Sequence, residues 1–453
     1  NRRNCFNLHN MKFYDREYEL QELKRIRQLA FADHSHLTVV TGRRRIGKTS
    51  LIMKSVEQTP TVYLFVSRRN EAALCAEFVK QISSALGVYL PGTVVSFADL
   101  FRTLLELATT RSFNLVIDEF QEFFNINESI YSDMQNYWDQ YRLRTKMNLI
   151  VSGSIYSLMN KIFRNYKEPL FGRADHVLKL QPFSTDVLKL ILHDHFPAYT
   201  NDDLLAFYTF TGGIPKYIES FCDNGIDLSV NSMIDFMVRE NSSFLDEGKT
   251  ILIEEFGKNY GVYFSILSAL SGGINTQQKI EAALGNKNLG GHLKRLMEDY
   301  DVIKRCRPIL AKAGGQTVRY EITDNFLAFW FNYFDRNRSL IELRNYEALA
   351  AIIRADYPTY SGHSLERYFR QRFIESHEYR DMGAYWEMKK GREQCEIDIV
   401  ALRLEKNKAV AVEVKRQRKE FKPALFAEKV QHLKDKVLPK YDIEQRCLTL
   451  EDM

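Results

Sequence analysis

The octapeptide at residues 42–49, Gly-Arg-Arg-Arg-Ile-Gly-Lys-Thr, constrains this chain more than any other stretch. It follows the apolar run Leu37–Val40 and precedes an apolar-periodic segment, so it reads as strand, glycine loop and helix. Gly42 and Gly47 let the backbone curl until successive N–H groups face inward. With the N-terminus of the next helix those donors make a cradle for phosphate groups. In such a cradle Lys48 reaches the β- and γ-phosphates of a nucleotide, and the Thr49 hydroxyl holds Mg2+. Gly42, Arg43, Arg44, Arg45, Ile46, Gly47, Lys48, Thr49 and Ser50 are the candidate nucleotide contacts.

Further short apolar runs recur with helical patterns between them: "TVYLFVS", "NLVIDEF", "NLIVSGS" and "HVLKLQPF". That alternation predicts an α/β fold, a parallel sheet covered on both faces. Asp118 closes one run, and ligands bind at the carboxyl ends of such strands. It is the candidate Mg2+ ligand, and Glu119 the residue that orients or deprotonates the attacking water. Ser152 and Ser154 read equally as γ-phosphate sensors and as polar strand ends. Arg173 reads as an arginine finger acting in this chain or a neighbour, which leaves room for an oligomer; its competing reading is a surface ion pair with Asp175.

At 453 residues the chain exceeds one core. The boundaries expected are a P-loop core over 11–183, a helical lid over 184–256, a winged helix over 257–335, a helical connector over 336–361 and an end domain over 362–453. The stretch Asn1–Asn10 lacks an apolar leader core, and Met11 suits a natural start. No apolar run approaches the roughly 18 residues of a membrane helix, so no membrane partner is expected. Six scattered cysteines without a CxxC pair point to a reducing cytoplasm. A net charge of +5 permits nucleic-acid binding without requiring it.

Within 257–335 the pattern is three helices and a strand–turn–strand. The segment 287–299 is the candidate recognition helix, with Lys294 and Arg295 outward if Leu293, Leu296 and Met297 pack inward. Lys304, Arg305, Arg307, Lys312 and Arg319 decorate the wing, a pattern that suits double-stranded DNA. A protein-contact module is the other reading.

The end domain reads as helix, three strands, helix, strand. Taking Lys406-Asn407 as a two-residue turn pairs Asp398 with Lys415 and Glu413 with Val400. Asp398, Glu413 and Lys415 then share one face, and burying their charge costs several kcal/mol without compensation. Mg2+ or Mn2+ between Asp398 and Glu413, with Lys415 beside the attacking water and Glu366 on a preceding helix, would compensate it. An Asp398–Lys415 ion pair in an inactive domain is the alternative.

Two resemblances follow from these residues. The boxes "FYDREYELQEL", "GRRRIGKTS", "VIDEFQEF", "PLFGRA" and "TGGIPKYI" together resemble the archaeal-type ATPase family, a P-loop branch related to the AAA+ and STAND groups. The resemblance implies that Phe13, Arg16 and Glu17 lie near the adenine, and that Pro215 in Gly213-Ile214-Pro215 couples the lid to the nucleotide. It also implies a winged helix followed by an end domain of unknown function, joined through "YEITDNFLAFWFNYF". Glu366, Asp398 and Glu413-Val414-Lys415 resemble the PD-(D/E)xK nuclease superfamily, with Ile397 where the name-giving Pro stands. The expected function is a Mg2+-dependent ATPase whose ATP state controls a DNA-binding, potentially DNA-cleaving end region. The alternative is a STAND-like switch that binds partner proteins, with the nuclease-like domain as scaffold.

Overall fold

Each of the apolar runs is followed by a helix that carries the chain back to the same edge, which is how strands come to lie parallel. A computed structural model describes residues 12–90, 92–257, 260–311, 318–389 and 392–453. Cys5, Met11 and Lys312 lie outside the described residues. Strands β1 (His36–Thr41), β2 (Thr61–Phe65), β3 (Phe113–Asp118), β4 (Met147–Ser152) and β5 (His176–Lys179) form one parallel sheet in the order β2-β3-β4-β1-β5. The central β3 and β4 are buried along their whole length, so helices cover both faces. The register pairs Val40 with Ser152 and Phe65 with Asp118. The carboxyl ends of these strands therefore finish level with the glycine loop that leaves β1.

The chain divides into two compact units: Tyr14–Pro182, which holds this sheet, and Phe183–Met453 with the stretch up to Phe13. The helices expected as a lid belong to the second unit. Polar bonds fasten them to the end domain: Arg416 reaches Asp202 at 2.6 Å and Asn201 Nδ2 donates to the Leu450 carbonyl at 2.6 Å. Aromatic packing adds to this, with Tyr208 5.5 Å from Tyr368, and it ties the same helices to the helix Asn325–Trp330, with Phe210 4.8 Å from Phe329, centroid to centroid. One helix, Tyr346–Glu375, runs without a break from the expected connector into the end domain.

Close packing in this unit depends on Gly248, on the helix Phe244–Phe256. A Cβ there would lie 2.3 Å from the Trp330 indole, which is fully buried and donates its Nε1–H to the Leu245 carbonyl at 3.0 Å. The ring cannot retreat. Gly248→Ala is expected to destabilise the unit by about 1–3 kcal/mol through overpacking. Urea unfolding checks this, and an unchanged midpoint would refute it.

Helices Tyr260–Ser271, Gln277–Ala283 and Gly290–Glu298 precede the antiparallel pair β6 (Ile303–Cys306) and β7 (Arg319–Ile322). Leu293 and Leu296 are buried, and Lys294 and Arg295 are exposed, as their spacing predicts. Of the cations read onto the wing, Lys304, Arg305 and Arg307 are exposed. Arg319 instead turns to the end domain, pairing with Glu396 at 2.6 Å over the Trp386 ring. Ile309 joins the end domain's apolar core and donates its N–H to Ala384 at 2.8 Å.

The end domain is a mixed sheet of β8 (Tyr379–Lys389), β9 (Arg392–Arg403), β10 (Lys408–Val414) and β11 (Asp442–Leu448) in the order β11-β10-β9-β8. The helix Pro423–Lys436 makes the crossover that lets β11 lie parallel to β10. The hairpin register corrects the two-residue turn. Val400 faces Ala411 and Ile399 faces Val412, so Asp398 falls opposite Glu413 rather than Lys415. The connection is four residues, 404–407, with Asn407 at φ 58° and Glu405 ion-paired to Lys408. A shift of two residues keeps the faces, so the acids and Lys415 still share one side.

Candidate functional site

The loop after β1 bends through Gly42 at φ 144°, Arg45 at φ 66° and Gly47 at φ 86° before the helix Lys48–Val56 begins. Left-handed backbone at these points turns the amides inward, and glycine accepts it without strain. Gly42 is also packed tightly, since a Cβ there would sit 3.0 Å from the Leu180 carbonyl oxygen. Lys48 is 7% exposed, and its ammonium bonds to the loop's own carbonyls, Gly42 and Arg43, at 3.0 Å each. Ile46 is buried, and Ser50 is exposed on the helix surface.

Asp118 is the convergence point. Its Oδ2 accepts from the Thr49 hydroxyl at 2.7 Å and from the Tyr63 hydroxyl at 2.9 Å. Its Oδ1 accepts from the Ser152 hydroxyl at 2.6 Å and from the Glu119 N–H at 3.0 Å. Burial and then the Asp118 charge push the Tyr63 phenol well above its ordinary range, so it stays a donor. Glu119, at φ 53°, points its carboxylate elsewhere. There Oε2 accepts from the Ser154 hydroxyl at 2.6 Å, the Ser154 N–H at 3.3 Å and Gln121 Nε2 at 2.5 Å. Adjacent acids thus have separate supports, each supplied by a serine of the Ser152-Gly153-Ser154 turn.

Gly153 is required by close approach. A Cβ would meet Gln121 Oε1 at 2.1 Å and the Met159 sulfur at 2.6 Å, and both side chains are fully buried. Gly153→Ala is expected to push Gln121 off Glu119, costing about 1–3 kcal/mol of stability and most of the turnover. Denaturation together with phosphate release checks it; a variant normal in both would show that the turn tolerates a side chain. Sequence reading missed Tyr63, Gln121 and Gly153.

The remaining expected contacts divide. Arg16 is 5% exposed, at φ 77°, and donates to the Gln181 carbonyl at 2.7 Å while pairing with Glu19 at 3.2 Å. Arg173 pairs with Asp139 at 3.0 Å, whereas Asp175 pairs with Arg142. Phe13, which is 43% exposed, and buried Pro215 belong to the second unit. Pro215 opens the helix Pro215–Cys222 just after Gly212 and Gly213, both at positive φ.

In the end domain, Glu366, Asp398 and Arg370 line a cavity of about 290 Å3. Burial and then the neighbouring Glu366 charge raise Asp398 to about 7. Its Oδ2 accepts the Val414 N–H at 2.7 Å. Glu413 is clamped by Lys415 at 2.9 Å and by Lys429 at 3.1 Å, and Glu366 bonds to Arg370 at 3.5 Å. Although burial works against its charge, the bond to Glu413 holds Lys415 above the ordinary lysine range. Internal cations already pair with Glu413 and Glu366, whereas Asp398 forms no ion pair among the described residues. The donor set as arranged does not fit a divalent ion shared by Asp398 and Glu413. Among the described residues no group of three His, Cys, Asp or Glu side chains is disposed to hold a metal.

Residues 13–221 match the family described as ATPase domain predominantly from Archaea, and residues 330–425 match one described as Archaea bacterial proteins of unknown function. A protein of Methanocaldococcus jannaschii, itself uncharacterized, is 30% identical over 414 residues, which covers 89% of this chain and 87% of that one. Among solved structures, a Walker-type ATPase of Pyrococcus abyssi superposes with a TM-score of 0.54 at 21% identity, covering 70% of this chain and 96% of that chain. The ORC2 protein of Aeropyrum pernix, solved as ADPNP–ADP complexes, gives 0.47 at 15% identity, over 74% and 96%. No helix among the described residues is long and apolar enough to cross a membrane.

Proposed function

This chain belongs to the family of ATPase domains found predominantly in Archaea and binds ATP, and on that premise we propose how it uses the nucleotide. The unit Tyr14–Pro182 hydrolyses ATP. The observation that carries this is the separation of the two acids: Asp118 gathers the Thr49, Ser152 and Tyr63 hydroxyls, while Glu119 is held apart by Ser154 and Gln121. The hard oxygens of Thr49 and Asp118 fit Mg2+, which when bound neutralises charge on the phosphates. Lys48 leaves the carbonyls of Gly42 and Arg43 for the phosphate oxygens. Glu119 orients the attacking water and takes its proton. Phe13 and Arg16 contact the adenine side, and Arg173 exchanges Asp139 for developing phosphate charge.

Because the helices after Phe183 are bonded to the end domain through Asp202 and Arg416, a lid movement carries the end domain with it. The second unit contacts double-stranded DNA through Lys294, Arg295, Lys304, Arg305 and Arg307. For the acidic centre of Glu366, Asp398, Glu413 and Lys415, a cutting site and a scaffold in a partner-binding switch compete. The lysine clamp on Glu413 favours the scaffold. Supercoiled plasmid with Mn2+ is therefore expected to be retained at low salt and left uncut. Replacing Arg305 and Arg307 by Ala should lower the slope of log affinity against log salt by roughly 2. Cleavage that Asp398→Ala and Lys415→Ala both abolish would establish the nuclease reading instead. Absence of retention would remove DNA from the account.

A further inference from the structure

One stripe of the long helix Tyr346–Glu375 carries Asp356, Tyr360, His363 and Arg367 at helical spacing, and these side chains line an open cavity of about 390 Å3. Such a volume falls in the range of small-molecule sites. The smaller cavity that reaches Asp398 shares Asn275, Glu321, His363 and Arg367 with it, so the two adjoin. The lining also includes Asn332, inside a single π-helical turn over Phe331–Asp335, and Arg336, which follows that turn directly. Turns of that kind insert one residue into a helix and re-aim the side chains after it.

The arginines around these cavities are of two kinds. Those nearer Asp398 are spoken for: Arg319 pairs with Glu396 at 2.6 Å, and Arg370 bonds to the Asp398 carbonyl at 3.2 Å and to Glu366 at 3.5 Å. Arg336 and Arg367, in the larger cavity, make no ion pair among the described residues. Among the described residues Arg367 donates only to the Asn325 side-chain oxygen, at 3.2 Å. Gly272 leaves room for Arg336, because a Cβ there would lie 2.9 Å from its Nη2. The acids on the same walls are engaged: Tyr333 donates to Asp356 at 2.7 Å, and Lys304 pairs with Glu321 at 3.2 Å. Tyrosine is a neutral donor, so Asp356 keeps its charge, and the concavity sets two carboxylates beside two guanidiniums that form no ion pair among the described residues. Two guanidiniums beside tyrosine rings and side-chain amides suit a phosphate with an aromatic base attached.

We propose that this cavity is a second nucleotide site, separate from the glycine loop, in which a nucleoside monophosphate group lays its phosphate on Arg336 and Arg367 and its base against Tyr360. The group arrives either as a free nucleotide or as the terminal residue of a nucleic-acid strand whose next residues run toward Asp398.

The full chain carrying Lys48→Ala, which silences the glycine loop, is dialysed to equilibrium against each common ribonucleoside 5′-monophosphate and against a 5′-phosphorylated dinucleotide. Saturable uptake of one equivalent is expected. Arg336→Ala and Arg367→Ala, each with an unchanged melting temperature, should weaken it by about tenfold or more. Arg336 is exposed, so its variant folds even if the Arg367 variant does not. Tighter uptake of the dinucleotide identifies a strand end as the source, and equal uptake identifies the free nucleotide. No uptake of any probe, or uptake that Arg336→Ala leaves unchanged, overturns the proposal.

Discussion

Glu119→Gln is expected to leave ATP bound and to lower turnover roughly 10²–10⁴-fold, the usual worth of a positioned general base. The glutamine keeps the size and one oxygen of the carboxylate, so Ser154 retains its acceptor. It loses the charge that attracts a proton from water. None of the loop contacts that would hold the phosphates involves Glu119, whose carboxylate is directed at Ser154 and Gln121. Affinity should therefore stay within a few-fold of wild type while phosphate release collapses. Turnover close to wild type would show that Glu119 only supports the turn after β4.

Lys48→Ala should act at the earlier step. In the structure the ammonium is nearly buried and bonded to the carbonyls of Gly42 and Arg43 at 3.0 Å. Removing it deletes the loop's buried ammonium and leaves two inward carbonyls without that donor. A hydrogen bond to a charged group contributes about 1.5–3 kcal/mol, so ATP should bind roughly 10- to 100-fold more weakly, with hydrolysis lost. The fold should persist, because the β1, β3 and β4 core around the loop is apolar and untouched. Unchanged nucleotide affinity in a folded variant would remove the loop from the site.

The difference between these two residues and those that escaped sequence reading is physical. Gly42, Gly47, Lys48 and Thr49 lie within one turn of chain, and the chemistry of a phosphate cradle fixes their spacing. Asp118 and Glu119 close an apolar run, and the parallel register brings them level with the loop. Tyr63 and Gly153 have no such local signature. Tyr63 matters because β2 lies beside β3 and turns its hydroxyl onto Asp118, 55 residues away. Gly153 matters because Gln121 and Met159 crowd the space where its side chain would be.

The same reason separates the legible from the illegible in the second unit. Alternation placed Asp398, Glu413 and Lys415 on one face, and a turn two residues longer than read left that face intact while changing the partners. Lys429, on a helix after the hairpin, could not be tied to Glu413 by any pattern of spacing. The grouping of helices 184–256 with the end domain rests on Asp202 meeting Arg416, a contact that spans 214 residues of chain. Burial periodicity reports which side of an element faces inward; it does not say which element lies there.

The central claim is that the glycine loop grips a nucleotide triphosphate. Titration calorimetry of the pure full chain with a non-hydrolysable ATP analogue and Mg2+ tests it most directly. One nucleotide should be taken up by the wild-type chain and by Glu119→Gln, and it should bind roughly 10- to 100-fold more weakly to Lys48→Ala. A wild-type chain that binds none, or a Lys48→Ala chain that binds as well as wild type, would contradict the claim.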